Sequence, residues 1–462
     1  MGKIKLTLED LFNVPSAVIY NPDCYKPVSI IEIDSRKVKR NSLFVAIKGE
    51  HFDAHDFVLD AVKKGASAVV INTDELKKFN GLEIPVITVD DTTSAYGEFA
   101  KIWRKKLNAK IVSLTGSNGK TTTKEMIAVL LAEKFNVMKT EANNNNHIGV
   151  PLTIFSADEK CEALVLEQGT NHFGEIEYSA KISQPDFALI TNIGDSHLEF
   201  LKNRNGVYKE KSALLKVTAQ HGGVVFINND DPILGKTKKN YQNKITYGFK
   251  NTVNVKGKIL GFTEDGRTKI QITHNKKSFT VTLPVYGEAN ANNFLAASAV
   301  ALKLGLTQKQ IIGGTQKLKP VYGRLAVKKF NNAVLIDDTY NSNPESVKAA
   351  VEVVKKIKTY NYKIIVLGDM FELGKSSEKL HKGLAKIFTD KKNLIVLTLG
   401  DKMKLLHTAL THKKIKSIHF NSREALSLYL RYEEIESSVI LVKGSRGMKM
   451  EEFVNQLEKR FE

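Results

Sequence analysis

The run Thr115-Gly116-Ser117-Asn118-Gly119-Lys120-Thr121-Thr122 contains the residue types that hold a phosphate. Glycines let the backbone turn close to an anion, and amides at a helix N-terminus point at it. Lys120 adds positive charge, and the Thr121 hydroxyl can hold magnesium. The spacing is short: the usual loop has a glycine five residues before Gly119, where Leu114 stands. Three other residues can do chemistry. Glu167, closing the apolar run Ala163–Leu166, can complete a magnesium shell or cap a helix. His197, in Asn192-Ile193-Gly194-Asp195-Ser196-His197-Leu198-Glu199, is a ligand or a structural histidine. Lys211, in Gly206-Val207-Tyr208-Lys209-Glu210-Lys211-Ser212, is a functional amine or one more surface lysine. Near the N-terminus, Ser35 and Arg36 form either an anion contact or an exposed turn.

Elements that could position these groups are legible in the hydrophobic pattern. The apolar run Ile111–Leu114 is strand-like, and helical sequence runs from Lys120 to Glu133. Before it, residues 1 to about 90 read as a small α/β unit with strands Leu43–Ile47 and Ala68–Ile71. Asp91-Thr92-Thr93-Ser94 then caps a helix with Ala95, Phe99, Ile102 and Trp103 on one face. Ala163–Leu166, Phe187–Thr191 and Val224–Asn228 read as buried strands of a mostly parallel sheet. After Asn243 the pattern turns β-rich, alternating over Lys269–Thr273, and a helix follows from about Asn290. From about residue 319 a second α/β cycle has strands Val334–Ile336, Ile364–Leu367, Leu394–Leu399 and Val439–Val442. In open parallel sheets ligands bind beyond such carboxyl ends. The expected architecture is a three-domain α/β protein: 1–91 a small α/β unit, 92–318 a parallel-sheet unit with the phosphate loop, and 319–462 a Rossmann-like unit.

Composition narrows the function. With 462 residues, 42% hydrophobic and 26% charged, the chain is an ordinary globular protein of several domains. No stretch is apolar enough to span a membrane, and the first residues lack the apolar core of a leader. Cys24 and Cys161 lie far apart without metal-ligand spacing, so a cytoplasmic location is expected. The net charge of +19 comes from scattered lysines, as in Lys101–Lys106, Lys236–Lys239 and Lys413–Lys416. They form no stripe with aromatics, so no nucleic-acid partner is expected.

The order of these clusters resembles the Mur ligase family, ATP-dependent amide-bond-forming enzymes of peptidoglycan synthesis, over essentially the full length. The matching stretches are Thr115–Thr122, Asn145–Thr153, Asn192–Glu199, Asp337–Pro344, Gly368–Gly374 and Val442–Met448. The family's short phosphate loop accounts for Leu114. By this resemblance Gly116, Ser117, Asn118, Gly119, Lys120, Thr121 and Thr122 cradle ATP, and Lys120 holds its phosphates. Thr121 and Glu167 hold one magnesium, while His197 and a carbamylated Lys211 serve a second. Asn290 and Asn293 contact adenine, Asp338 the ribose and Arg324 the phosphates. Ser35, Arg36, Asp53, His55, Asn146 and His147 bind the UDP-linked substrate.

The resemblance further implies a branch that adds D-alanyl-D-alanine to a UDP-linked muramoyl tripeptide through an acyl phosphate, with a monomer expected. The branch adding the third amino acid usually carries an Asp-Asn-Pro-Arg run, absent here. Folylpolyglutamate synthetases share the central and C-terminal plan but lack this N-terminal unit. Three positions depart from the family pattern: Ala289 for a common histidine, Ala54 for glycine and Gln168 for methionine.

Overall fold

A computed structural model describes residues 4–237, 240–250, 252–389 and 392–462. Residues 1–3, at the start of the leader reading, and Lys238 and Lys239 of the lysine run lie outside the described residues. Three sheets organise the chain, in the expected α/β class. The first is five-stranded, ordered Val18–Tyr20, Val86–Val89, Ala66–Asn72, Ser42–Val45, Ile30–Glu32, parallel except for the first strand.

The second sheet has nine strands and two characters. Lys110–Thr115 lies between Ala163–Glu167 and Phe187–Ile190, and all three run parallel. Val224–Asn228 and Lys244–Gly248 extend it on one side. An antiparallel ladder of Val255–Phe262, Arg267–His274 and Lys277–Tyr286 then follows. The alternation over Lys269–Thr273 dictates this ladder, since Ile270 and Ile272 are buried while Lys269 is exposed and Gln271 and Thr273 are half-buried. The next helix, Gly287–Lys303, begins before the expected Asn290 and packs in one core with the phosphate-loop helix Lys120–Leu131.

Helix Thr92–Lys106 joins the first two sheets. Asp91 caps it by accepting from the Thr93 and Ser94 amides at 2.8 and 3.3 Å. Its Tyr96, Phe99 and Trp103 share a core with Val45, Val70 and Ile87 on one side and Ile111 and Leu164 on the other. The third sheet is ordered Ala326–Lys329, Ala333–Asp338, Ser438–Lys443, Tyr362–Gly368, Leu394–Leu399, Ser417–Phe420. It is parallel except at its first strand. Helix Glu451–Phe461 buries Phe453, Val454 and Leu457 against one face. Helix Pro344–Lys356, capped by Asn343, buries Val347, Val351 and Val354 against the other.

Candidate active site

Strand register brings the chemistry together. Leu114 pairs with Glu167, and Thr115 with Ile190. The phosphate loop, Glu167 and the Asn192–His197 loop therefore leave the sheet at one carboxyl edge, where parallel sheets bind ligands.

The loop's geometry suits an anion. Gly119 is the N-cap of helix Lys120–Leu131, with φ +78°, and no side chain caps the helix. Its first amides thus lack intrahelical and capping partners. Neither glycine tolerates a side chain: a Cβ at Gly119 would lie 2.5 Å from Asn293 Oδ1, and one at Gly116 1.9 Å from Thr191 Oγ1. Asn192 holds the loop from beneath, its carbonyl accepting from the Ser117 amide and its Oδ1 from the Asn118 amide, both at 3.0 Å. Lys120 Nζ donates to the Gly116 carbonyl at 2.9 Å. Desolvation depresses the Lys120 ammonium below its usual range, with Glu167 opposing and Arg324 adding to the shift.

Beside the loop sits an unusual buried pair. Glu167 is 1% exposed; its Oε1 accepts from Asn145 Nδ2 at 3.0 Å, and its Oε2 has no hydrogen-bond partner. Lys211 is fully buried, and its Nζ likewise has no partner. Burial first, then the Lys120 charge, push its ammonium well below the ordinary lysine range, against the pull of Glu210 and Glu167. A buried amine and a buried carboxylate oxygen left unpaired cost free energy as they stand. They fit a site completed by a divalent cation and by conversion of the amine to a carbamate. Thr121 is half-buried at the start of the adjoining helix. Among the described residues no three His, Cys, Asp or Glu side chains cluster for a metal.

His197 has φ +51° at the start of the short helix Leu198–Leu201. Its Nδ1 lies 2.7 Å from Glu372 Oε2, at an angle outside hydrogen-bond geometry. This contact holds the Glu372 carboxyl below its ordinary value, against desolvation. Glu372 belongs to the third sheet's loops, so that sheet supplies part of the site. A cleft of about 590 Å³ runs from the phosphate loop past Asn290 and Asn293 to Arg324, Asp338 and Lys443. Arg324 stacks on Tyr340, 4.0 Å from the ring centre. Asp338 is fixed by buried Lys443 at 2.6 Å and by the Leu325 amide at 3.1 Å. Asn290 donates to the Tyr286 carbonyl and accepts from Asn293.

The N-terminal residues divide. Asp34–Arg36 and Lys48–Asp53 follow the parallel strands Ile30–Glu32 and Ser42–Val45, so both loops open at one edge of the first sheet. Arg36 is exposed and bidentate to Asp34, whose carboxyl it lowers to about 2. Ser35 accepts from Lys64 Nζ through its carbonyl. His55 is buried, with Nδ1 2.6 Å from Asp53 Oδ1 and Nε2 accepting from the Asn72 amide at 3.0 Å, so both ring nitrogens are engaged within the fold and the ring braces Asp53. Asn146 uses its Oδ1 to cap helix Gly149–Ser156, while His147 is exposed beside it.

Asn145, Asn343, Lys443 and Arg204 carry no role in the sequence pattern. The first three stand inside the family-like stretches Asn145–Thr153, Asp337–Pro344 and Val442–Met448, whereas Arg204 lies outside any of them.

A phosphate loop walled by cations from a second sheet defines an α/β enzyme that handles nucleotides. Three family descriptions match the chain: "Mur ligase family, catalytic domain" at residues 27–104, "Mur ligase middle domain" at 114–301, and "Mur ligase, glutamate ligase domain" at 323–446. The chain belongs to the Mur ligase family. It is 34% identical over 459 residues to the UDP-N-acetylmuramoyl-tripeptide–D-alanyl-D-alanine ligase of Bacillus subtilis (strain 168), covering 98% of each chain. Its fold is similar to MurF from Acinetobacter baumannii, with TM-score 0.88, 29% identity, and 99% and 100% of the two chains covered. It is also similar to the MurF ligase of Thermotoga maritima solved in complex with ADP, with TM-score 0.81, 28% identity, and 93% and 97% covered.

Proposed function

We propose that this chain joins D-alanyl-D-alanine to a UDP-linked muramoyl tripeptide, consuming ATP and releasing ADP and phosphate. The observation that carries the reading is the cleft itself: an uncapped phosphate loop on one sheet faces Arg324, Asp338 and Lys443 on another. The relatives' names and the ADP bound to the Thermotoga maritima ligase support the same reading. We divide the chain at 1–91 for the UDP moiety, 92–318 for ATP and 319–462 for the wall that closes over it. It acts as a cytoplasmic monomer. Among the described residues no helix is long and apolar enough to cross a membrane.

The tripeptide's terminal carboxylate attacks the γ-phosphorus of ATP. A carboxyl O–P bond forms, the bond to the bridging oxygen breaks, and ADP leaves with the electron pair. The dipeptide's amine then attacks the acyl carbon, the C–O bond breaks, phosphate departs, and the amine loses its proton. Lys120 and the amides of Gly119 to Thr122 hold the phosphates, where charge builds during transfer. Arg324, steadied on Tyr340, faces them from the third sheet. Asn290 and Asn293 line the adenine side, and Asp338 faces the ribose. Ser35, Arg36 and the Asp53 loop face UDP, with Asn146 and His147 nearer the peptide. Thr121 and Glu167 would hold one magnesium ion, and His197 with Lys211 a second; when bound, these ions reduce the repulsion between carboxylate and γ-phosphate. Lys211 is suited to carbamylation, since a neutral amine adds carbon dioxide by forming an N–C bond and losing a proton. The product is an anion where a cation would repel the metal.

The test is ADP release with each substrate omitted in turn. Release that needs both the tripeptide nucleotide and D-alanyl-D-alanine supports the reading. Release with the dipeptide nucleotide and a free diamino acid would instead favour the third-residue ligase.

A further inference from the structure

Arg204 opens the helix Arg204–Gln220, which carries Lys211 two turns later on the same face. Its guanidinium reaches carboxylates from two sheets. Nε and Nη2 donate to Asp195 Oδ1 and Oδ2, both at 2.7 Å, and Nη2 also meets Glu345 Oε1. Asp195 stands two residues before His197. Glu345 is the second residue of helix Pro344–Lys356 on the third sheet. Its carboxyl lies directly over Gly194, where a Cβ would be 3.4 Å from the carboxyl carbon. Alongside, Asn343 Nδ2 donates to Asn118 Oδ1 of the phosphate loop at 2.7 Å. One guanidinium thus ties the His197 loop, the Lys211 helix and the docked third sheet. If the third sheet moved away, Glu345 would leave with it, and Arg204 would keep Asp195 alone.

We propose that Arg204 is a positioning residue that couples docking of the third sheet, through Glu345, to the placement of His197 and Lys211. This rests on the phosphoryl-transfer reading above. A planar fork suits the task, because it holds two carboxylates in a fixed geometry that a lysine cannot reproduce.

The experiment uses the full chain as wild type, Glu345→Gln, Arg204→Met, the double variant, Arg204→Lys, and Lys216→Ala as a control on the same helix. Glu345→Gln and Arg204→Met should each lower kcat roughly tenfold while KM for ATP stays within about twofold, the pattern of a lost positioning contact. The double variant should be no slower than the slower single variant, because the pair acts as one unit. Arg204→Lys should recover part of the rate, and Lys216→Ala should match wild type. In X-ray scattering without ligands, Glu345→Gln and Arg204→Met should show a larger radius of gyration than wild type. Losses in kcat that multiply, an unchanged kcat in Glu345→Gln, or an unchanged radius of gyration would overturn the proposal. If wild type releases no ADP with both substrates, the reaction reading fails by itself. The scattering then decides the latch: expansion in Glu345→Gln supports it, and no change overturns it.

Discussion

Lys211 offers a test in which stability and activity move in opposite directions. Its side chain is fully buried, and Nζ has no hydrogen-bond partner. Burial and the nearby Lys120 charge push its ammonium well below the ordinary range. An unfolded lysine keeps its proton to about pH 10.4. Between the lower folded value and that figure, the unfolded chain binds one proton more than the folded chain. Stability therefore rises with pH in this window, by about 1.4 kcal/mol per unit, and the penalty deepens as pH falls until the folded amine also protonates. Lys211→Met keeps the length and apolar stem while deleting the charge. Replacing buried charge by a well-packed apolar group gains about 1–4 kcal/mol. For a domain of this size each kcal/mol is worth about 2–4 °C.

The variant should therefore melt at least about 2 °C above wild type at pH 7 in bicarbonate-free, metal-free buffer. The gap should narrow as the pH is raised toward 9. Turnover should nonetheless fall by on the order of 10³-fold, since the proposed carbamate can no longer form. Thermal melts by intrinsic fluorescence across pH, paired with ADP release, read both quantities. A variant that melts below wild type, or a gap that does not change with pH, would show that the amine is compensated in the fold and refute the argument. Labelled bicarbonate should give a carbamate carbon signal in wild type that is missing from the variant. Lys211→Ala with added acetate should regain part of its activity, and Lys209→Ala, at an exposed position two residues away, should behave as wild type.

Lys120→Ala should lower turnover by on the order of 10³-fold while leaving the melt unchanged, because among the described residues the side chain bonds the Gly116 carbonyl of its own loop alone; near-normal ADP release would refute the phosphate-loop assignment. Glu167→Gln preserves the acceptor for Asn145 but removes the charge, so magnesium affinity by calorimetry should fall at least tenfold with the fold intact. Lys443→Met leaves Asp338 buried without its cation and should cost about 3–5 kcal/mol, and Lys443→Met with Asp338→Asn should recover most of that in a melt. Arg36→Ala should raise KM for the UDP substrate with no change in melting. His55→Ala should do the reverse, destabilising by about 1–3 kcal/mol because the Asn72 amide loses its acceptor.

What the sequence disclosed follows from how local each constraint is. The phosphate loop is legible because every requirement lies within eight residues: two positions that reject a Cβ, a cation and a hydroxyl at a helix start. The strands around it show as apolar runs because both faces of a parallel sheet are covered. Lys211 is different. Its isolation depends on helix Arg204–Gln220 packing against helix Glu175–Ser183 and the second sheet, in a core with Leu214, Ile176 and Ile190. Nothing within a few residues of it announces burial, so its order among other motifs was the available signal. Asn145 and Asn146 illustrate the limit within one run of asparagines: one orients Glu167 and the other caps a helix, a choice made by backbone geometry alone. His55 makes the same point, because a histidine beside an aspartate in a polar loop looks alike in sequence whether or not its Nε2 accepts from the Asn72 amide.

Lys443 and Arg204 needed pairings that no local pattern carries. Lys443 lies opposite Asp338 in the register of two adjacent parallel strands, 105 residues away in sequence. Arg204 meets Glu345 across 141 residues. The first pair lies within the third sheet and lines the cleft, and the second crosses the seam between the second and third sheets. Residues that form the phosphate cradle are therefore readable from neighbours in sequence, whereas Lys443 becomes visible only with the strand register of the third sheet and Arg204 only once the two sheets are docked. One departure from the family pattern, Gln168, also relies on contacts distant in sequence. Gln168, in place of a common methionine, donates through Nε2 to Ser113 and Ser183 at 3.2 and 3.0 Å, while its Oε1 stays buried without a partner, so the polar exchange in the core is only half satisfied.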